Sequence, residues 1–128
     1  MNWLMVGAVA GGGAIGSVAR YLTTSLLGRS LGTAFPWGTL TVNIVGSFLM
    51  GVVVELIALK LSASHELRAF LAVGILGGFT TFSSFSLDAA FLFERGEFGP
   101  AMLYVLSSVL GGLFALFAAL YLVRQVLT

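Results

Sequence analysis

Between Arg68 and Asp88 the chain carries no aspartate, glutamate, lysine or arginine. A helix that crosses the hydrocarbon of a bilayer needs about 20 mostly apolar residues. Four segments meet that requirement, at residues 3–27, 37–61, 67–93 and 100–127. Backbone N–H and C=O groups in lipid need partners within their own segment, so each span is expected to be a helix. Composition agrees: 59% of residues are hydrophobic and 9% charged, against about 25% charged in an average soluble domain. The connections "GRSLGTAFP", "SASHE" and "ERGEFG" are polar or rich in Gly and Pro, as turns are. The expected fold class is an all-α membrane protein with four transmembrane helices, forming a single transmembrane domain over residues 1–128.

Several functions are excluded by what the chain lacks. It has no cysteine, so disulfides, thiolate catalysis and Cys-based metal sites are out. One histidine, His65, makes no zinc set, and no nucleophile–base pair is visible, so an enzyme is not expected. A net charge of +1 implies no nucleic-acid partner. The N-terminal "MNWLMVGAVAGGG" has no basic n-region and too long an apolar run for a signal peptide, and is read as a retained first span.

Orientation follows the Lys/Arg balance of the two sides. Lys60, Arg68 and Arg124 stand on one side, and Arg20, Arg29 and Arg95 on the other, a tie among the 6 basic residues. An unbiased chain with an even number of spans inserts both ways up, which permits an antiparallel homodimer. The alternative is a single orientation set by a residue outside the count. Four helices are few for enclosing a polar path, which favours an oligomer. Helix association in lipid uses small residues on one face. Gly7–Gly11, Gly12–Gly16, Ser47–Gly51, Gly74–Gly78 and Ser108–Gly112 supply such pairs, and packing alone explains most of them.

Polar residues within a span are functional candidates. Thr39, Asn43 and Ser47 recur every four residues on one face of the second span, and Tyr104, Ser108 and Gly112 do so on the fourth. These stripes make either a polar track or interhelical glue. A lone hydroxyl can bond its own helix, whereas the Asn43 amide cannot satisfy all its donors and acceptors locally. The charged groups are expected near span ends: Arg20 on the first, Glu55 on the second, Asp88 on the third. With no carboxylate at mid-span, passive conduction is favoured over a proton-coupled pump. Arg20 snorkels, anchors a helix end or attracts an anion.

"GGFTTFSSFSLD" (Gly77–Asp88) is the most unusual stretch. Glycine costs about 1 kcal/mol relative to alanine in a helix, and Thr80 and Thr81 are β-branched, so a break between two half-helices is expected. Such a break frees carbonyls that can hold a small cation; the other reading is a kink packed on a neighbour. Beyond it, Phe82 and Phe85 share a helix face, with Ser83 and Ser86 beside them. Phenyl rings are positive at the edge, so ring edges and Ser and Thr hydroxyls, Thr81 and Ser83 among them, can together face an anion.

"GGGAIGSVARY" (Gly11–Tyr21), "FPWGTLTVNIVGSFLMG" (Phe35–Gly51) and above all "GILGGFTTFSSFSLD" (Gly74–Asp88) resemble the small fluoride channels, known in bacteria as the Fluc or fluoride-efflux CrcB proteins. The resemblance covers nearly the whole chain. It implies an antiparallel, dual-topology homodimer in the cell (inner) membrane, with the third helix of each chain broken at the dimer centre. It implies a structural Na+ held by the backbone carbonyls of Gly77 and Thr80 from each chain. It places Asn43, Phe82, Phe85, Tyr104 and Ser108, with Thr39, along two fluoride pores, and Arg20 near a vestibule. It implies passive export that lowers cytoplasmic fluoride. The family pattern often has Ser or Thr where this chain has Gly112, which leaves the outer end of the track open. Two other functions stand beside it: a small dual-topology multidrug or cation transporter, which suits the size, span count and charge tie but needs a mid-membrane carboxylate, and a non-conducting scaffold in which the polar stripes are glue.

Overall fold

The computed structural model describes residues 2–60 and 62–128, so Leu61, the end of the second expected span, lies outside the described residues. Helix α1 is Trp3–Leu31 and α2 is Trp37–Leu59. The third span, His65–Glu94, is two helices. Its first part, α3, covers residues 65–79 and begins with one α-turn, His65–Arg68. It then widens into π turns over Ala69–Leu76, where the Gly77 N–H reaches Ala72 O, five residues back, and tightens again at Gly77–Phe79. Its second part, α4, is Phe82–Glu94, and the last helix, α5, is Phe98–Leu127. All four spans are long and apolar enough to cross a membrane.

Local chemistry sets the ends. Asn2 Oδ1 accepts the Leu4 N–H at 2.9 Å and Ser64 Oγ the Leu67 N–H at 3.1 Å, each satisfying a free amide of a first turn. Gly32 (φ 81°) follows α1 and Gly96 (φ 78°) follows α4, both in the region that L side chains avoid. Arg95 closes that second turn: its Nε contacts Glu97 Oε2 at 2.6 Å and its Nη2 donates to Ala34 O at 2.8 Å, tying the turn to the α1–α2 connection.

α1 packs along α3 and α2 along α5, with α1 also against α2 and α4 against α5. Glycine permits the α1–α3 approach. A Cβ at Gly12 would meet Phe70 O and lie 2.9 Å from Gly74 Cα; one at Gly16 would meet Ile75 O; one at Gly78 would lie 2.8 Å from Gly13 O. The stripes Gly12–Gly16 and Gly74–Gly78 therefore interlock across one crossing. Gly51 plays the same part between α2 and α5, where a Cβ would lie 2.7 Å from that of Ala119, whereas Gly7 faces open space.

The buried set is small, and its largest fully buried side chains are Tyr104, Leu92 and Val42. Large apolar side chains point outward on every span, Phe114 at 76% and Val126 at 79% exposed among them. A surface of that kind needs lipid or another apolar partner. Glu55 is buried within α2, and Arg124 of α5 reaches it with Nε to Oε1 at 2.8 Å, which locks those two helices at one end.

One expectation is corrected. Arg20 is not at a helix end: α1 continues past Gly28 to Leu31, and the Arg20 Nε donates to Gly78 O at 3.0 Å. Gly78 is close to the midpoint of the His65–Glu94 span, so the guanidinium lies near mid-span. Without Arg20 the tally of basic residues near the two sides becomes Lys60, Arg68 and Arg124 against Arg29 and Arg95.

Candidate functional site

The third span is interrupted at two extended residues, Thr80 (φ −88°, ψ 159°) and Thr81 (φ −154°, ψ 121°). The glycine pair just before them stays helical. Thr80 finishes α3, its N–H and Oγ1 both donating to Leu76 O, at 3.1 and 2.9 Å. Thr81 starts α4, its Oγ1 accepting the Ser84 N–H at 3.1 Å. A methyl group at Gly46 of α2 would collide with Thr80 Cγ2, so that glycine leaves the room in which the break sits.

Side chains from other helices take over the displaced backbone bonds. The Asn43 amide clamps Thr81 on both sides, Oδ1 accepting its N–H at 2.7 Å and Nδ2 donating to its C=O at 3.0 Å. Arg20 takes Gly78 O. Two carbonyls are thereby deprived of the amide four residues on. Gly77 O would bond the Thr81 N–H, which goes to Asn43, and Thr80 O would bond the Ser84 N–H, which goes to Thr81 Oγ1.

Beside the break lies a cavity of about 400 Å³. Asn43 and Ser47 line it from α2, Thr80 and Thr81 from the break, Phe82 and Phe85 from α4, and Ser108, Val109, Gly112, Leu113 and Leu116 from α5. Ser108 Oγ is buried on this wall with no hydrogen-bond partner. Buried polar atoms are almost always paired, so this hydroxyl has unused hydrogen-bonding capacity in the wall of a space large enough for an ion. Asn43 keeps one amide hydrogen beyond its clamp on Thr81.

The aromatic side chains form a row. Centroids of Phe82 and Phe85 are 5.7 Å apart, Phe85 and Tyr104 5.3 Å, and Tyr104 and Phe35 5.6 Å with edge-to-face geometry. Phe82 is 78% exposed at the open end, whereas Tyr104 is fully buried. The Tyr104 hydroxyl donates to Asp88 Oδ2 at 3.1 Å, and buried Thr39 adjoins it. Thr39 and Asp88 line a second cavity of about 180 Å³ at the α1–α2 connection.

Of the residues singled out in the sequence, the first cavity gathers Asn43, Ser47, Thr80, Thr81, Phe82, Phe85, Ser108 and Gly112. Tyr104 and Thr39 lie one turn away, between the two cavities. Ser83 is outside the wall, its Oγ 3.3 Å from Thr81 Oγ1. Arg20 is held on the backbone of α3. The Asp88–Tyr104 bond and the double clamp by Asn43 are additions. The first had a signal in the sixteen-residue spacing of two polar groups only once the helices were paired, and the second had none, since its partners are 38 residues apart.

Interrupted helix, a cavity bearing hydroxyl and amide groups at the interruption, and four apolar spans together define a small multi-pass membrane protein. The family model described as "CrcB-like protein, Camphor Resistance (CrcB)" matches residues 7–120, and the chain belongs to that family. It is 60% identical over 116 residues to the fluoride-specific ion channel FluC of Chelativorans sp., covering 91% of this chain and 93% of that one. It is 58% identical over 120 residues to the protein of the same name from Agrobacterium fabrum, covering 94% and 96%. Over 120 residues it is 59% identical to the one from Rhodospirillum centenum, covering 94% and 95%.

Proposed function

We propose that the chain is a fluoride channel that exports F− passively, with a path through the cavity at the α3–α4 break. The observation that carries this is the buried, unpartnered Ser108 hydroxyl on the cavity wall. The names of its relatives supply the ion.

Fluoride holds water tightly, so a path through lipid has to replace that hydration. Here the replacements are uncharged: the Ser108 O–H, the spare Asn43 N–H, hydroxyls at the break and the positive edges of Phe82 and Phe85. Uncharged donors admit an anion without trapping it, which conduction requires. A potential of about 100 mV, inside negative, is worth about 2.3 kcal/mol per charge and drives the anion outward. Arg20 is engaged by Gly78 O at 3.0 Å, so its charge tunes the field of the break rather than standing free in the path.

Two copies in antiparallel orientation complete the path in this reading. The wide exposure of Phe82 beside the cavity and the apolar faces of every span suit a second chain. A structural Na+ fits the donor set: Gly77 O and Thr80 O are hard oxygens that lack their helical partners, and two chains supply four of them. Bound there, the ion would neutralise the carbonyl dipoles of both chains at their junction.

The test is Ser108→Ala in liposomes loaded with fluoride. Flux should fall about tenfold or more, the scale of one lost hydrogen bond to an ion, with the oligomer unchanged on gel filtration. Unchanged flux removes Ser108, and with it this path.

A further inference from the structure

Above Ser108 the α5 side of the cavity has no hydroxyl. One turn on stands Gly112, followed by Leu113 and Leu116. An anion leaving Ser108 along α5 would meet only hydrocarbon. Yet the cavity wall opposite Gly112 is polar. Ser47 of α2 lines the same space, and its Oγ lies 3.5 Å from where a Gly112 Cβ would be. The hydroxyl therefore reaches across into the notch that the missing side chain leaves. Ser86 and Ser107 donate to carbonyls of their own helices, at 3.0 and 2.5 Å. Ser47 has no such bond to the carbonyl of Asn43, one turn before it, and its hydroxyl is available to the cavity.

We propose that Ser47 is the next fluoride donor after Ser108, supplying from α2 the hydroxyl that α5 lacks at Gly112. The path then crosses from one helix to the other at this level. Asn43 and Ser47, one turn apart on α2, form one rail, and Ser108 is the last polar rung of the other. This rests on the fluoride-channel reading above and names a further fluoride-binding residue within it.

The experiment compares four proteins in fluoride-loaded liposomes: the unaltered chain, Ser47→Ala, Gly112→Ser, and the double variant. A Cβ at Gly112 meets only the Ser47 hydroxyl, at ordinary contact distance, so the serine fits. Ser47→Ala should lower fluoride flux about tenfold or more. Adding Gly112→Ser to it should restore flux to within about threefold of the unaltered chain, because the hydroxyl returns from the other wall. A role in packing alone predicts no such rescue. Ser47→Ala with unchanged flux overturns the proposal, as does a folded double variant that stays as impaired as Ser47→Ala. Gly112→Ser alone, which leaves Ser47 in place, reports what the added side chain does to the path; a loss as large as that of Ser47→Ala overturns the proposal, because the path then needs the notch itself and not a hydroxyl in it. An unaltered chain that passes no fluoride removes the channel reading itself, and Ser47's role with it; a working unaltered chain isolates the result to Ser47.

Discussion

Asn43 has two duties at the break. Its amide holds the Thr81 backbone at both N–H and C=O, and one hydrogen is left for the cavity. Asn43→Asp keeps the acceptor for Thr81 N–H and loses the donor, placing an oxygen against the Thr81 carbonyl. The variant should be less stable by about 1–3 kcal/mol and should conduct poorly; a thermal melt in detergent and an efflux assay check both. The two phenylalanines are separable. Phe82 is largely exposed, whereas Phe85 is packed on Tyr104. Phe82→Ile should reduce flux with the melt unchanged, whereas Phe85→Ile should reduce both. Equal flux in both variants and the unaltered chain would remove ring edges from the mechanism. The stripe Thr39, Asn43, Ser47 was readable as a face because the helical period puts every fourth residue in line. What each polar group bonds was not readable, since the partners of Asn43 and Arg20 lie 38 and 58 residues away.

The helices meet where side chains are absent. Gly12 and Gly16 of α1 lie against the backbone of α3, so a methyl group has no room there. Gly16→Ala should destabilise the fold by about 1–3 kcal/mol through overpacking. Gly7→Ala, in open space, should be neutral or gain up to about 1 kcal/mol of helix propensity. Denaturation of the two variants side by side distinguishes this crossing from a general intolerance of alanine. The interruption of the third span was legible, because β-branched threonines after a glycine pair are weak helix formers. Its position was less so: the glycines stay helical, Gly78 serving the α1 crossing, and the threonines carry the break. The π turns of Ala69–Leu76 left no trace, since "AFLAVGIL" is apolar throughout and has no polar face to mark its phase. Nor was the length of α1 visible. Gly28 looks like a helix stop, but only Gly32 takes the positive φ that ends the helix.

For the whole molecule, apolarity and length made the four-helix class plain, because nothing but a helix satisfies so many backbone groups in lipid. The balance of charges needed the structure. With Arg20 near mid-span, three basic residues face two, a bias of one residue. An antiparallel pair built on so small a bias should be sensitive to added charge. Several lysines placed in the α1–α2 and α4–α5 connections should drive the chain into one orientation, as read by cysteine labelling from each side. Fluoride efflux should then collapse, and should return when a copy biased the opposite way is expressed with it. Full efflux from a population of one orientation would refute the antiparallel pair.

The central claim is that uncharged donors around the α3–α4 break replace the water of a fluoride ion. Efflux of fluoride and of chloride from liposomes holding the purified chain, each followed with an ion-selective electrode, tests it most directly. Rapid fluoride release with chloride retained is the expected result. Equal release of the two halides, or release of neither, contradicts it.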